Sequence, residues 1–265
     1  MKFIHITDLH LTAPGEKLWG LDPHARVAAA FADIAAHHAD AERIIITGDL
    51  AESGQASAYR ALQVMLSRLP MPANLMLGNH DEREAYFSVF GGPKDTAGFA
   101  QHSLETQAGR FLFLDTLKGP PSSAGLYCQA RRDWLSAELA KGGPCWLFLH
   151  HPPFKIGHPL MDLIPLEDGE GFHDLLKGHD IRHMFFGHAH RMLSGQWRGI
   201  PFSALPSLNH QLPLVGGSVA TVYSDEPPLY SVVMIEDDRT LVHSDAFLNR
   251  TRAQMHEDAE RGNWY

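Results

Sequence analysis

The 265-residue chain has only two cysteines, Cys128 and Cys145, too few to staple a protein of this length with disulfides. Both stand among apolar neighbours and read as buried free thiols. No stretch approaches the roughly 18 uncharged apolar residues that a membrane span requires. The opening Met1-Lys2-Phe3-Ile4-His5-Ile6-Thr7-Asp8 carries one lysine and an apolar run cut short by an aspartate, unlike a secretory leader. The sequon at Asn249-Arg250-Thr251 is therefore expected to go unused, and the expected location is cytoplasmic. Basic residues are scarce, with 22 Lys and Arg against 31 Asp and Glu, a net charge of −9. Such a surface repels a phosphate backbone, so nucleic acid is not an expected partner, nor is a membrane. Hydrophobic residues at 44% and charged residues at 20% exclude a disordered chain, a collagen repeat and a coiled coil. What is abundant is histidine, 18 residues in all.

Short apolar runs at 3–7, 43–47, 74–77, 111–114, 145–149 and 183–186 predict buried strands. Helical patterns separate most of them. The first is capped by Asp22, with Pro23 in its first turn and Val27, Phe31 and Ile34 as its apolar stripe. A second is expected over 54–69, with Tyr59, Leu62, Leu66 and Leu69 as core packing, and a third over 129–140. Strands alternating with helices predict an α/β sheet whose first strands are parallel. From Met192 the texture changes, and 192–197, 200–204, 229–235 and 240–246 read as antiparallel strands. No linker divides the chain. One domain is expected over 1–248, with an irregular cap-like insertion at about 157–171 and a polar tail at 249–265.

The chemistry lies just beyond the strand ends. The runs lead into Asp8-Leu9-His10, Gly48-Asp49, Gly78-Asn79-His80-Asp81, His150-His151-Pro152-Pro153 and Gly187-His188-Ala189-His190. Loops beyond the carboxyl ends of strands in open α/β sheets converge on one crevice. Five strand ends therefore deliver Asp, Asn and His, ligands suited to Mn, Fe, Co or Zn, and no thiolate. In Asp8-x-His10 and His188-x-His190, extended backbone would point both members of each pair the same way. Gly48 and Gly78 permit the sharp turns that bring Asp49 and Asn79 close. Seven ligands exceed the needs of one first-row metal, and with a bridging carboxylate they suit two ions roughly 3.5–4 Å apart. Asp-x-His, His-x-His or Asp49 alone carries little weight, since Asp49 could merely cap a turn. Gly-Asn-His-Asp is expected by chance in on the order of one such chain in a thousand. Asp115 also ends a strand but has no second ligand type beside it, and reads as a turn residue. His37, His38, His102, His179 and His243 read as surface or turn histidines, and His5 as a satisfied core histidine. Gly216-Gly217-Ser218-Val219-Ala220 lacks the last glycine of a nucleophile elbow. There is no phosphate-binding P-loop.

Taken together, Asp8-x-His10, Gly48-Asp49, Gly78-Asn79-His80-Asp81, His150 and Gly187-His188-x-His190 resemble the five-part signature of the calcineurin-like metallophosphoesterases, over residues 3 to about 210. Asp49 is not followed by the Asp-Arg-Gly continuation of the protein Ser/Thr phosphatases. Gly15-Glu16-Lys17-Leu18-Trp19-Gly20 and His150-His151-Pro152-Pro153 are similar to bacterial class III cyclic-nucleotide phosphodiesterases, and more so to the related glycerophosphodiesterases.

The resemblance implies an α/β fold of two stacked mixed β-sheets flanked by helices. It implies two divalent metal ions (Mn, Fe, Zn or Co), one held by Asp8, His10 and His190, the other by Asn79, His150 and His188, with Asp49 bridging. His80 and His210 are implied to be catalytic, His80 facing the substrate phosphate or leaving group and His210 contacting the phosphate, while His151 is structural. The implied activity is hydrolysis of a small phosphodiester, a 3′,5′-cyclic nucleotide or a glycerophosphodiester, by water made acidic at the metals. The implied assembly is a homo-oligomer, a dimer or larger. Two alternatives use the same fold: a metal-dependent nuclease or DNA-repair phosphoesterase, disfavoured by the charge of −9, and a non-enzymatic scaffold, disfavoured because all seven ligand positions are filled.

Overall fold

A computed structural model of the chain describes residues 1–214 and 222–248. The Gly216–Ala220 stretch, the sequon and the expected tail lie outside them. The first half runs β1 (Lys2–Ile6), α1 (Pro23–His37), β2 (Ile44–Ile46), α2 (Ala56–Leu66), β3 (Ala73–Leu75), α3 (Arg83–Phe90), β4 (His102–Thr106) and β5 (Gly109–Leu114). The second half runs α4 (Gln129–Leu139), β6 (Cys145–Leu149), α5 (Gly169–Leu176), β7 (Ile181–Phe186), β8 (Leu193–Trp197), β9 (Ile200–Ala204), β10 (Leu229–Ile235) and β11 (Thr240–Ala246).

These strands form two mixed sheets, ordered β11-β10-β1-β2-β3 and β4-β5-β6-β7-β9-β8. Strand parity explains why they stack. In β1, Phe3 faces the opposite sheet, while Ile4 and Ile6 face α1 and α2. In β5 and β6, Phe111, Phe113, Trp146 and Phe148 face inward, and Leu112, Leu114, Leu147 and Leu149 pack under α4 and α5. Strands buried on both faces read as unbroken apolar runs, which is how they were visible in the sequence. Between the sheets Phe148 stacks on Phe185 with ring centroids 4.9 Å apart, and Phe3 meets both edge-on. Asp22 caps α1 through a 3.0 Å bond from the Ala25 amide.

Several expectations need correction. β9 is antiparallel to β8 but parallel to β7, because the β8–β9 hairpin folds back and inserts its second strand against β7. α3, α5 and β4 were not anticipated. Cys145 is buried, but Cys128 is only half-buried, and its sulfur accepts a bond from Arg131. Asp115 is no turn residue. It is fully buried, takes a bidentate bond from Arg83 at 2.7 and 2.8 Å, and also meets Arg131. His102 lies within β4, stacked on Phe113 at 4.5 Å, rather than on the surface. His5 is a core residue whose Nε2 meets Thr47 Oγ1 at 2.9 Å, yet its Nδ1 has no partner.

Candidate metal centre

The loops leaving β1, β2, β3, β6 and β7 meet at one end of the sheets. Their convergence does not come from extended backbone, as the sequence spacing suggested. Asp8, His10, Asp49, His188 and His190 all adopt left-handed φ, between 46° and 65°. That conformation disfavours a side chain by about 1–2 kcal/mol per residue, and clusters of it mark sites where the surrounding structure imposes it. Backbone bonds lock the loops together: the Asp8 amide donates to Gly48 O at 3.1 Å and the His10 amide to Asp49 O at 2.9 Å. A Cβ on Gly78 would collide with the Asp49 carboxylate and the His150 ring. Glycine there is a requirement of close approach.

Asp8, His10, Asp49 and His190 form one buried group whose candidate ligand atoms all lie within 4.8 Å of one another. Their hydrogen bonds fix where the lone pairs point. His10 Nδ1 bonds Glu52 Oε2 at 2.7 Å, and His190 Nδ1 bonds the His210 carbonyl at 2.8 Å. Each ring thus donates through Nδ1 and presents a bare Nε2, and the two Nε2 atoms face each other 3.0 Å apart. Two lone pairs at that distance repel unless a cation lies against them. Asp8 adds a carboxylate that accepts from Thr7 Oγ1 at 2.7 Å and from the His188 amide. Burial opposes the charge on both carboxylates, but the surrounding imidazoles, His190 at Asp8 and His150 at Asp49, keep each ionised at lower pH than usual.

The second group adjoins the first through Asp49. His150 Nδ1 bonds Thr47 O at 2.7 Å, so its Nε2 faces Asn79 Oδ1 at 3.2 Å and Asp49 Oδ2 at 3.3 Å. Burial works against a charged His150, yet Asp49 lifts its pKa to about 9, a sign that this spot draws positive charge. The His188 ring lies 5.2 Å from that of His150, with Nε2 on Ile164 O at 3.0 Å, which frees Nδ1. An all N/O donor set of this kind fits a divalent first-row ion. His151 also lies close, but both its nitrogens are engaged, by Thr116 Oγ1 at 2.7 Å and Ser123 O at 3.2 Å.

His80 and His210 border the same cluster, and each lies close enough to His10 to join a possible ligand group, His80 with Glu52 and His210 with His190. The His80 amide donates to Asp49 Oδ1 at 2.9 Å and its Nδ1 meets Glu52 O at 2.8 Å. Its ring is 37% exposed. Burial would lower its pKa, but Asp49 and Glu52 raise it. His210 is driven the other way, to about 3, by burial and by His190. Two further residues escaped the sequence reading. Glu52 anchors His10, and Asp81 accepts bonds from the Leu50, Ala51 and Gly78 amides and from Tyr59 Oη, tying the β2 and β3 loops together. The position of Glu52, three residues after Asp49, was the available signal.

A cleft of about 270 Å³ opens over the cluster, bordered by Leu160, Met161 and Ile164 on one segment and by Trp19 and Tyr223 on others. A larger cavity, about 650 Å³, lies at the amino ends of the strands beside Met1, Trp146 and Arg182, and holds none of the candidate ligands. Among the described residues no helix is long and apolar enough to cross a membrane.

The chain is similar to known proteins in both sequence and fold. The chain is 40% identical over 257 residues to a probable cyclic nucleotide phosphodiesterase of Rhodopseudomonas palustris, spanning 94% of this chain and 93% of that one. It is 27% identical to a glycerophosphodiester phosphodiesterase of Enterobacter lignolyticus, over 86% and 84% of the two chains. In fold it is similar to a dimetal phosphatase of Danio rerio, with a TM-score of 0.71 at 14% identity over 93% and 96% of the chains. Residues 1–192 match the family model described as calcineurin-like phosphoesterase, and the chain belongs to that family.

Proposed function

We propose that this protein hydrolyses small phosphodiesters, a 3′,5′-cyclic nucleotide or a glycerophosphodiester, at a centre of two divalent ions. The observation that carries the reading is the position of Asp49, whose carboxylate lies 3.6 Å from His10 Nε2 on one side and 3.3 Å from His150 Nε2 on the other. Asp8, His10 and His190 would hold one ion, Asn79, His150 and His188 the other, and Asp49 both. Bound ions would supply positive charge against the phosphate and bring the pKa of water down toward about 7. The substrate classes follow the names of the two relatives above.

The chain's own groups do the rest. As water adds to phosphorus and the ester P–O bond breaks, His80, protonated and bonded through Nδ1 to Glu52 O, gives its Nε2 proton to the departing oxygen. General-acid help of this kind contributes about 10²–10⁴ in rate. His210 Nδ1 faces Asn209 Nδ2 at 3.2 Å. With Asn209 donating, the neutral ring keeps its proton on Nε2 and offers it to a phosphate oxygen. The test compares kcat/KM for cyclic AMP and glycerophosphoethanolamine on Mn²⁺-reconstituted protein, with Asp49→Ala as blank. Turnover of either diester above the blank supports the reading, and turnover of neither by metal-loaded protein overturns it.

A further inference from the structure

We propose that Trp19, backed by Tyr223, is a stacking platform for the flat ring of a nucleobase, so that this wall of the cleft favours a nucleotide diester over a glycerol one. The inference rests on the small-diester reading and goes further, since it chooses between the two substrate classes.

Trp19 is held in a place that suits its backbone badly. Leu18 and Leu21 exchange reciprocal backbone bonds of 2.9 Å around Trp19 and Gly20, whose φ values are +53° and +81°. A two-residue turn with both central residues at positive φ is one where Asn-Gly or Asp-Gly is the usual choice. A bulky aromatic there is an outlier. Contacts within the chain cover less than half of the indole, which remains 56% exposed. The reason must lie in what the ring faces.

Its surroundings fit a planar ligand. Tyr223 stacks on the indole at 4.1 Å with planes 25° apart, covering one side and fixing its orientation. Contact then passes inward ring by ring: Tyr223 meets His210 edge-on at 4.8 Å, and His210 lies 4.8 Å from His10 and 4.7 Å from His190. An ester group bound at the metal centre therefore reaches the aromatic pair across one imidazole. The same cavity has apolar Leu160 and Met161 on its wall. A nucleobase has a π-face to lay on the indole, whereas glycerol has neither π-face nor apolar surface. Stacking reads no base edge, so purine identity should matter little here.

The experiment uses Mn²⁺-reconstituted wild type, Trp19→Phe, Trp19→Ala and Trp19→Asn. The preference for cyclic AMP over glycerophosphoethanolamine, as a ratio of kcat/KM values, is expected to fall about tenfold in the Ala and Asn variants, through KM, with most of it retained in Trp19→Phe. Cyclic GMP should show a similar loss. Asparagine suits the turn, so Trp19→Asn should melt no lower than wild type, which separates lost stacking from lost folding. Binding is read without turnover by titrating AMP and following tryptophan fluorescence, with quenching expected in wild type and largely lost in Trp19→Phe. An unchanged preference in the Ala and Asn variants, or AMP quenching that persists in Trp19→Phe, would overturn the platform. Wild type that hydrolyses neither diester would instead overturn the proposed function, and the AMP titration alone would then decide whether the platform exists.

Discussion

Glu52 and His10 are joined by a 2.7 Å contact between Oε2 and Nδ1, which turns the bare Nε2 of His10 toward His190 and Asp49. Carboxylates behind ligating imidazoles fix the tautomer and raise the ring's basicity, and removing them typically lowers metal affinity or activity 10–100-fold. Glu52→Ala is expected to weaken metal binding in that range, and Glu52→Gln, which keeps an acceptor, by less. Isothermal titration with Mn²⁺ measures both. Equal, undiminished affinity in the two variants would mean that Glu52 does not orient His10.

His80→Ala should separate metal loading from turnover. The ring lies beside the cluster and bonds Glu52 O, so elemental analysis should find the metal content of wild type. The value of kcat should fall by about 10²–10⁴. A variant that lost metal but kept its rate per loaded site would make His80 a ligand.

Asp81 is expected to matter for stability more than its distance from the chemistry suggests. Its Oδ2 accepts from the Leu50 and Gly78 amides, its Oδ1 from Ala51 and Tyr59. Asp81→Asn would put an amide NH2 where one carboxylate oxygen accepts, leaving at least one buried N–H donor unsatisfied at about 1–3 kcal/mol. Urea unfolding of the metal-free protein should show a loss of about 1–3 kcal/mol. A midpoint like that of wild type would remove Asp81 from this structural role.

Two histidines far from the metal centre predict an acid limb to stability. Burial, with Arg43 assisting, lowers the pKa of His102 to about 4, and burial does the same to His183. Unfolded, each takes a proton near 6.5. Between those values the unfolded chain binds more protons, so stability is lost as pH falls from 6.5 to 4, by up to about 1.4 kcal/mol per pH unit for each ring. Urea midpoints between pH 7 and 4.5 should therefore decline, and less steeply in His102→Gln and His183→Gln. Identical slopes would mean that these rings are protonated when folded.

Much of the sheet scaffold was legible because its central strands are apolar on both faces, as in Phe111-Leu112-Phe113-Leu114 and Cys145–Leu149. The strand ends were legible because five of them carry aspartate, asparagine or histidine together, where any one alone could have been structural, as Asp115 is. β4 was hidden because it is a half-polar edge strand paired only with β5. α5 has Gly169 and Gly171 in its first turn, behind an Asp168 cap in left-handed conformation, which reads as loop. Asp115 looked unoccupied because its partners come from distant positions, Arg83 and Arg131. The left-handed backbone at Asp8, His10, Asp49, His188 and His190 leaves no mark in residue type, since these residues are chosen for what they bind rather than for the turn they occupy.

The most direct test of the whole account is to titrate metal-free protein with Mn²⁺ while following hydrolysis of cyclic AMP and glycerophosphoethanolamine. Seven candidate ligands shared through Asp49 predict that activity on at least one diester rises to a plateau at two equivalents per chain, with no activity at any ratio in Asp49→Ala. A plateau at one equivalent, or full activity without added metal, would contradict a shared two-ion centre.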